Sequence, residues 1–264
     1  MRTPSLVLVS LIFSLAALVL PSGAATAQTG YPIANAAPLT RSPLYTAGRL
    51  PGASCAERPV KAGSVVSVKS YLTPLVKCLD AAWTAQFARA RLPFAKPRVT
   101  FITKPQRMCG SNWGKDVQAI YCNTDRRIVL MLDRDVVGDP GDLYLLDVLA
   151  HEYGHHVQNV AGMWRALDRL PSRNKAEFYE QTRRHELQAE CLAGAFIGSV
   201  WPSLDRDAGD WKELLDADRR SGDESTGVRD HGKGRNIANW LNRGFKAASP
   251  SACNTWIAGS SMVA

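Results

Sequence analysis

The chain has 264 residues and carries 32 Lys and Arg against 24 Asp and Glu, a formal net charge of +8. The basic residues are scattered, with pairs such as Arg126-Arg127 and Arg183-Arg184 but no basic run interleaved with aromatics, which argues against nucleic-acid binding. Beyond the N-terminus no apolar run approaches the about 20 residues that a membrane-spanning helix needs. A basic surface of this kind serves solubility and favours acidic partners.

The N-terminus reads as an export signal. Arg2 precedes an apolar run over residues 6–20, and Ala25-Thr26-Ala27 supplies a small-x-small cleavage pattern. Residues 1–27 are therefore expected to be removed and the protein to be secreted, outside the cell or on the exterior of its envelope. All six cysteines follow that point, and an even number in an exported chain points to disulfides. Cys109 and Cys122 flank a short turn-rich segment and form the best pair. Cys55–Cys78 and Cys191–Cys253 follow by elimination.

Residues 28–59 are rich in Pro, Ala, Gly, Thr and Ser without sustained periodicity, and read as an irregular extension. One domain is expected over residues 60–264. Leu72, Leu75, Val76, Leu79, Ala82, Trp83 and Phe87 predict a helix over residues 70–91, ended near Pro93. Residues 98–104, 119–122 and 127–132 are rich in β-branched and apolar residues and predict strands. Residues 109–114 between them read as a turn-rich loop. A strand at the edge of such a sheet, just before a metal helix, can pair with extended peptide backbone.

Asp142 is the expected N-cap of the next helix, which carries His151-Glu152-Tyr153-Gly154-His155-His156. His151 and His155 stand one turn apart, so their imidazoles can converge on one metal ion. Glu152, 100° round from His151, can reach a metal-activated water without occupying the metal. His156 is read as structural. A catalytic zinc usually has a third protein ligand, and the pattern with a third His fails because Gln158 and Ala161 stand where Gly and His are needed. A long helix over residues 175–200, stopped by Pro202, offers Glu186 and Glu190 on one face. Geometry permits either to be the third ligand, and the other to hold a metal-bound histidine by its free N–H. Asp205, Asp207 and Asp210 read as a solvated acidic turn, followed by a short helix near Trp211. A last helix over residues 235–247 packs through Ile237, Trp240, Leu241 and Phe245.

Taken in order, Ile120-Tyr-Cys122, Ala150-His-Glu-Tyr-Gly-His-His-Val-Gln158 and Glu186-Leu-Gln-Ala-Glu-Cys-Leu-Ala-Gly194 resemble the bacterial neutral zinc metallopeptidases. Ser221-Gly-Asp-Glu224, His231-Gly232 and Trp240-Leu-Asn-Arg-Gly-Phe245 extend the likeness. The resemblance implies a zincin-like α+β domain, mainly helical, with a small antiparallel or mixed sheet before the metal helix. It implies Zn2+ on His151, His155 and Glu186, with Glu190 behind them, although the family carries Asp at that position. Glu152 would be the general base and His231 a stabiliser of the oxyanion. The expected substrate is a peptide or protein. Two other readings stay open: a non-catalytic envelope-binding protein that keeps zinc for its fold, and a zinc amidase acting on cell-wall peptide.

Overall fold

The computed structural model describes residue 33 and residues 36–114 and 117–264. The export signal and most of residues 28–35 lie outside the described residues. In chain order the helices are α1 (Ala37–Thr40), α2 (Val65–Arg89), α3 (Arg134–Gly138), α4 (Asp142–Val160), α5 (Met163–Asp168), α6 (Lys175–Val200), α7 (Ala208–Asp218), α8 (Asp223–Thr226) and α9 (Gly234–Ala247). The strands are β1 (Arg98–Ile102), β2 (Arg107–Met108), β3 (Ser111–Asn112), β4 (Ala119–Cys122) and β5 (Arg127–Met131). The architecture is mixed α+β and predominantly helical.

The sheet is mixed, in the order β1-β5-β4, with β1 parallel and β4 antiparallel to the central β5. Alternation along β5 divides two cores. Ile128 and Leu130 face the main core, whereas Val129 and Met131 join Ile102 and Cys122 in a small separate cluster. The expected loop at residues 109–114 instead contains part of a two-stranded hairpin, β2 with β3, whose turn takes Cys109 and Gly110 into the left-handed region. The Cys109–Cys122 disulfide fastens that hairpin to β4.

Helix α4 lies at the centre, packed against the sheet and α2 on one side and α6 on the other, with α9 beyond α6. Its start differs from expectation. Gly141 occupies the N-cap without a side-chain bond, and Asp142 is the first helical residue. Polar contacts set the seating of α4. The Tyr153 hydroxyl donates to Asp80 Oδ1 on α2 at 2.7 Å. His156 Nε2 meets the Ala95 carbonyl at 2.6 Å and its Nδ1 meets the Tyr121 hydroxyl at 3.0 Å. The carbonyl can only accept, so Nε2 carries the proton. Burial lowers the His156 pKa to about 4, so the ring is neutral and Nδ1 accepts from Tyr121. The structure thus engages both ring nitrogens of His156 in holding the helix.

The contact of α4 with α6 is unusually close at Gly154. A Cβ there would lie 2.7 Å from the Ala189 carbonyl oxygen and 3.0 Å from its Cα, so only glycine fits without moving backbone. Gly154→Ala should force the two helices apart and destabilise the protein by about 1–3 kcal/mol, the usual cost of overpacking. A fall in Tm together with weaker zinc binding is the expected result, read by thermal unfolding and a zinc titration. Unchanged values for both would show that this contact does not set the spacing of the helices.

The N-terminal segment is irregular in backbone, with only α1 and a 3-10 turn at Pro43–Thr46. It nevertheless supplies buried Leu39, Leu44, Leu50 and Cys55 to the main core, and Cys55–Cys78 ties it to α2. Cys191–Cys253 joins α6 to the C-terminal segment, which completes the expected pairing. The acidic residues at 205–210 do more than meet solvent: Asp207 caps α7 and forms a capping box with Asp210.

Candidate metal centre

Helix α4 presents His151 and His155, and α6 presents Glu186 and Glu190 across from them. His151 Nε2 lies 3.5 Å and His155 Nε2 3.0 Å from Glu186 Oε2. One donor atom from each of these three residues falls within 4.8 Å of the others. Two imidazole nitrogens and a carboxylate oxygen form a donor set that suits zinc. The residues therefore fit the expected metal in both chemistry and spacing.

The far sides of both rings are fixed. His151 Nδ1 meets Glu190 Oε2 at 2.8 Å. His155 Nδ1 meets Gln158 Oε1 at 2.9 Å. The Gln158 amide nitrogen donates to the His185 carbonyl at 2.8 Å and to Gln188 Oε1 at 3.0 Å, which settles which end of the amide faces the histidine. In each pair a proton on Nδ1 leaves the Nε2 lone pair directed at the shared volume. Around His155 the rings of His185 and Trp164 stand 5.0 and 5.8 Å away between centroids, closing that side to water.

Charge in the centre is strongly coupled. Burial opposes ionisation of Glu186, but the adjacent His155 and His151 outweigh it and hold the carboxyl well below its ordinary range. Burial likewise opposes protonation of His151, yet its bonds to Glu186 and Glu190 raise its pKa well above the usual value. Glu152 is also buried, and its Oε2 has no hydrogen-bond partner. Burial lifts its pKa, with His155 and His151 pulling the other way. A raised carboxyl is a stronger base than an exposed one, which suits it to accept a proton from water.

His231 lies on the loop before α9 and is 58% exposed at its side chain, with Nε2 3.8 Å from Glu186 Oε2. Asp230 Oδ1 meets its Nδ1 at 2.7 Å. Asp223 Oδ1 accepts from the backbone N–H groups of His231 and Gly232, both at 3.0 Å, and so shapes the loop that brings His231 to the rim. His151, His155 and Glu186 thus face one volume with His231 at its rim, while Glu190 stands behind His151.

Two contributors escaped the sequence reading. Gln158 was noted only as a departure from the three-histidine pattern, although its position one turn after His155 was the available signal. Asp223 lay within the Ser-Gly-Asp-Glu match without a role. His185 is buried against His155 with both ring nitrogens lacking a partner, and burial lowers its pKa to about 3.

A family model described as "Putative neutral zinc metallopeptidase" matches residues 60–256. The chain is 29% identical over 204 residues to the uncharacterized protein YpfJ of Escherichia coli, with 70% of each chain covered. It is 26% identical over 249 residues to the uncharacterized protein Rv2575 of Mycobacterium tuberculosis, covering 83% of this chain and 82% of that one. No solved structure gives a significant match. The family match takes in both the His-Glu helix and the helix carrying the two glutamates, and the chain belongs to the neutral zinc metallopeptidase family.

Proposed function

We propose that the protein is a secreted zinc metallopeptidase of zincin-like fold that hydrolyses peptide bonds. The observation that carries the reading is the convergence of His151, His155 and Glu186 beside a buried, partnerless Glu152. A structural zinc site usually has four protein ligands and no use for such a base. His151, His155 and Glu186 would hold the zinc, and Glu190 and Gln158 would keep the two imidazoles in the required tautomer. Zinc bound there supplies a Lewis acid that polarises a carbonyl and makes water more acidic. Glu152 takes the proton from the attacking water and delivers it to the leaving amine. His231, in its doubly protonated form with Nδ1–H held by Asp230, donates from Nε2 to the oxygen that gains charge as the carbonyl becomes tetrahedral.

Strand β4 is an edge of the sheet and packs on α4, so its outer backbone is suited to pairing with an extended substrate. Export after residues 1–27 is supported by three disulfides, and none of the described helices is long and apolar enough to cross a membrane.

The test is incubation of the purified chain, begun at Gln28, with a diverse peptide mixture. Cleavage is expected, lost on chelation and restored by zinc. Absence of any cleavage by zinc-loaded protein would favour a binding protein. Cleavage confined to cell-wall peptides would favour the amidase.

A further inference from the structure

Behind the metal centre lies a second group of acids that the peptidase reading leaves without a task. Asp147 of α4, Glu190 of α6 and Asp218 at the end of α7 each bring one oxygen to within 4.8 Å of the others'. All three residues are more than nine-tenths buried, at 5%, 7% and 8% exposure. One oxygen of each, Asp147 Oδ1, Glu190 Oε1 and Asp218 Oδ2, is buried with no hydrogen-bond partner. Buried carboxylate oxygens normally find donors, and here one on each of three neighbouring groups does not.

Their charge is also unanswered. Among the described residues no lysine or arginine pairs with any of them. Arg219 adjoins Asp218 in sequence, but its guanidinium is engaged by Asp216 and is half exposed. The remaining candidate is His151, through its bond to Glu190. Fully ionised, the cluster would carry more negative charge than its neighbours answer, a costly state in a low-dielectric interior. Burial first, and then the neighbouring carboxylates, raise the Asp218 pKa to about 8 and that of Asp147 well above its usual value.

We infer that Asp147, Glu190 and Asp218 form a second cation site, for a hard divalent ion of the calcium class, distinct from the His151–His155–Glu186 centre. The donors are all carboxylate oxygens, which selects calcium over softer metals. Three ligands leave positions for water on an ion that takes six to eight oxygens. The site draws on three helices, so the ion would join α7 to the α4–α6 pair and steady Glu190 where it meets His151.

The site stands beside the proposed zinc centre and shares Glu190 with its surroundings, so the experiment follows the two metals separately. Metal-free protein is reloaded with zinc in calcium-free buffer and then dialysed against calcium, and zinc and calcium per chain are measured by elemental analysis. One of each is expected. Calcium at about a hundredfold its Kd should raise Tm by roughly 5–10 °C. Asp218→Asn and Asp147→Asn should keep the zinc and bind calcium at least about tenfold more weakly, with the Tm shift lost. Zinc-loaded wild-type protein that binds no calcium, or that fills the second position with zinc, overturns the inference, and this result needs no variant to fold. Undiminished calcium binding in both Asn variants overturns it too. Calcium binding that depends on Asp218 and Asp147 in protein that takes up no zinc would support this site while removing the peptidase centre.

Discussion

Glu152→Gln is expected to lower the rate of peptide hydrolysis by about 10²–10⁴-fold while leaving one zinc per chain and a folded protein. The change preserves shape and removes the ability to accept a proton. Glu152 lies outside the group of donors that converge on the metal position, so zinc content should survive its loss. The new amide brings N–H donors to a buried position whose Oε2 now has no partner, so a stability cost of about 1–3 kcal/mol is also expected. Single-turnover rates, zinc analysis and thermal unfolding on the same preparation separate these effects. Hydrolysis at the wild-type rate would remove Glu152 as the base.

The second large effect divides the two glutamates of α6. Glu186 Oε2 faces the Nε2 atoms of both histidines, whereas Glu190 Oε2 touches the opposite nitrogen of His151. Glu186→Gln should therefore leave the protein nearly metal-free at limiting zinc. Glu190→Gln should retain zinc with about 10–100-fold loss in affinity or activity, the usual cost of removing a group that orients a ligand. Glu190→Asp, which keeps the carboxylate and shortens its reach by one methylene, should remain active. Parallel zinc titrations decide between these outcomes. Loss of zinc from the Glu190 variant alone would reverse the roles.

Much of this was legible because the centre is built from two long helices with unambiguous patterns. The α6 helix spans the residues expected of it, from the Asn174 cap to the break at Pro202, because both ends are marked by local chemistry. Helical spacing alone placed His151 with His155, and Glu186 with Glu190. Which glutamate faces which nitrogen could not follow from spacing, since that depends on how deeply α4 and α6 approach. That depth is set at Gly154, whose neighbour Ala189 is remote in sequence. The N-terminal segment was misleading for a related reason. Leu39, Leu44 and Leu50 are buried through distant contacts, and too few residues lie between the breaks in the backbone to show a period. Asp142 is not the cap because the helix begins one residue earlier than expected, with Gly141 in the cap position. The hairpin of β2 and β3 has two residues per strand, too short for alternation to register.

The three disulfides have a consequence for how the molecule would come apart. They bind the N-terminal segment to α2, the hairpin to β4 and the C-terminal segment to α6, and none involves α4. The helix at the centre of the protein thus hangs in a covalently braced shell by packing and hydrogen bonds alone. A metal held jointly by α4 and α6 would add a coordinate bridge across that seam. Chelators and reductants therefore strike different joints. Withdrawing the metal loosens the inside while the outer ties stay closed, and the displaced helix remains tethered close to its place. Breaking the sulfur bonds frees the periphery first, with the metal still clamping the middle. Recovery from the first injury needs only metal, whereas recovery from the second needs the chain to find its partners again.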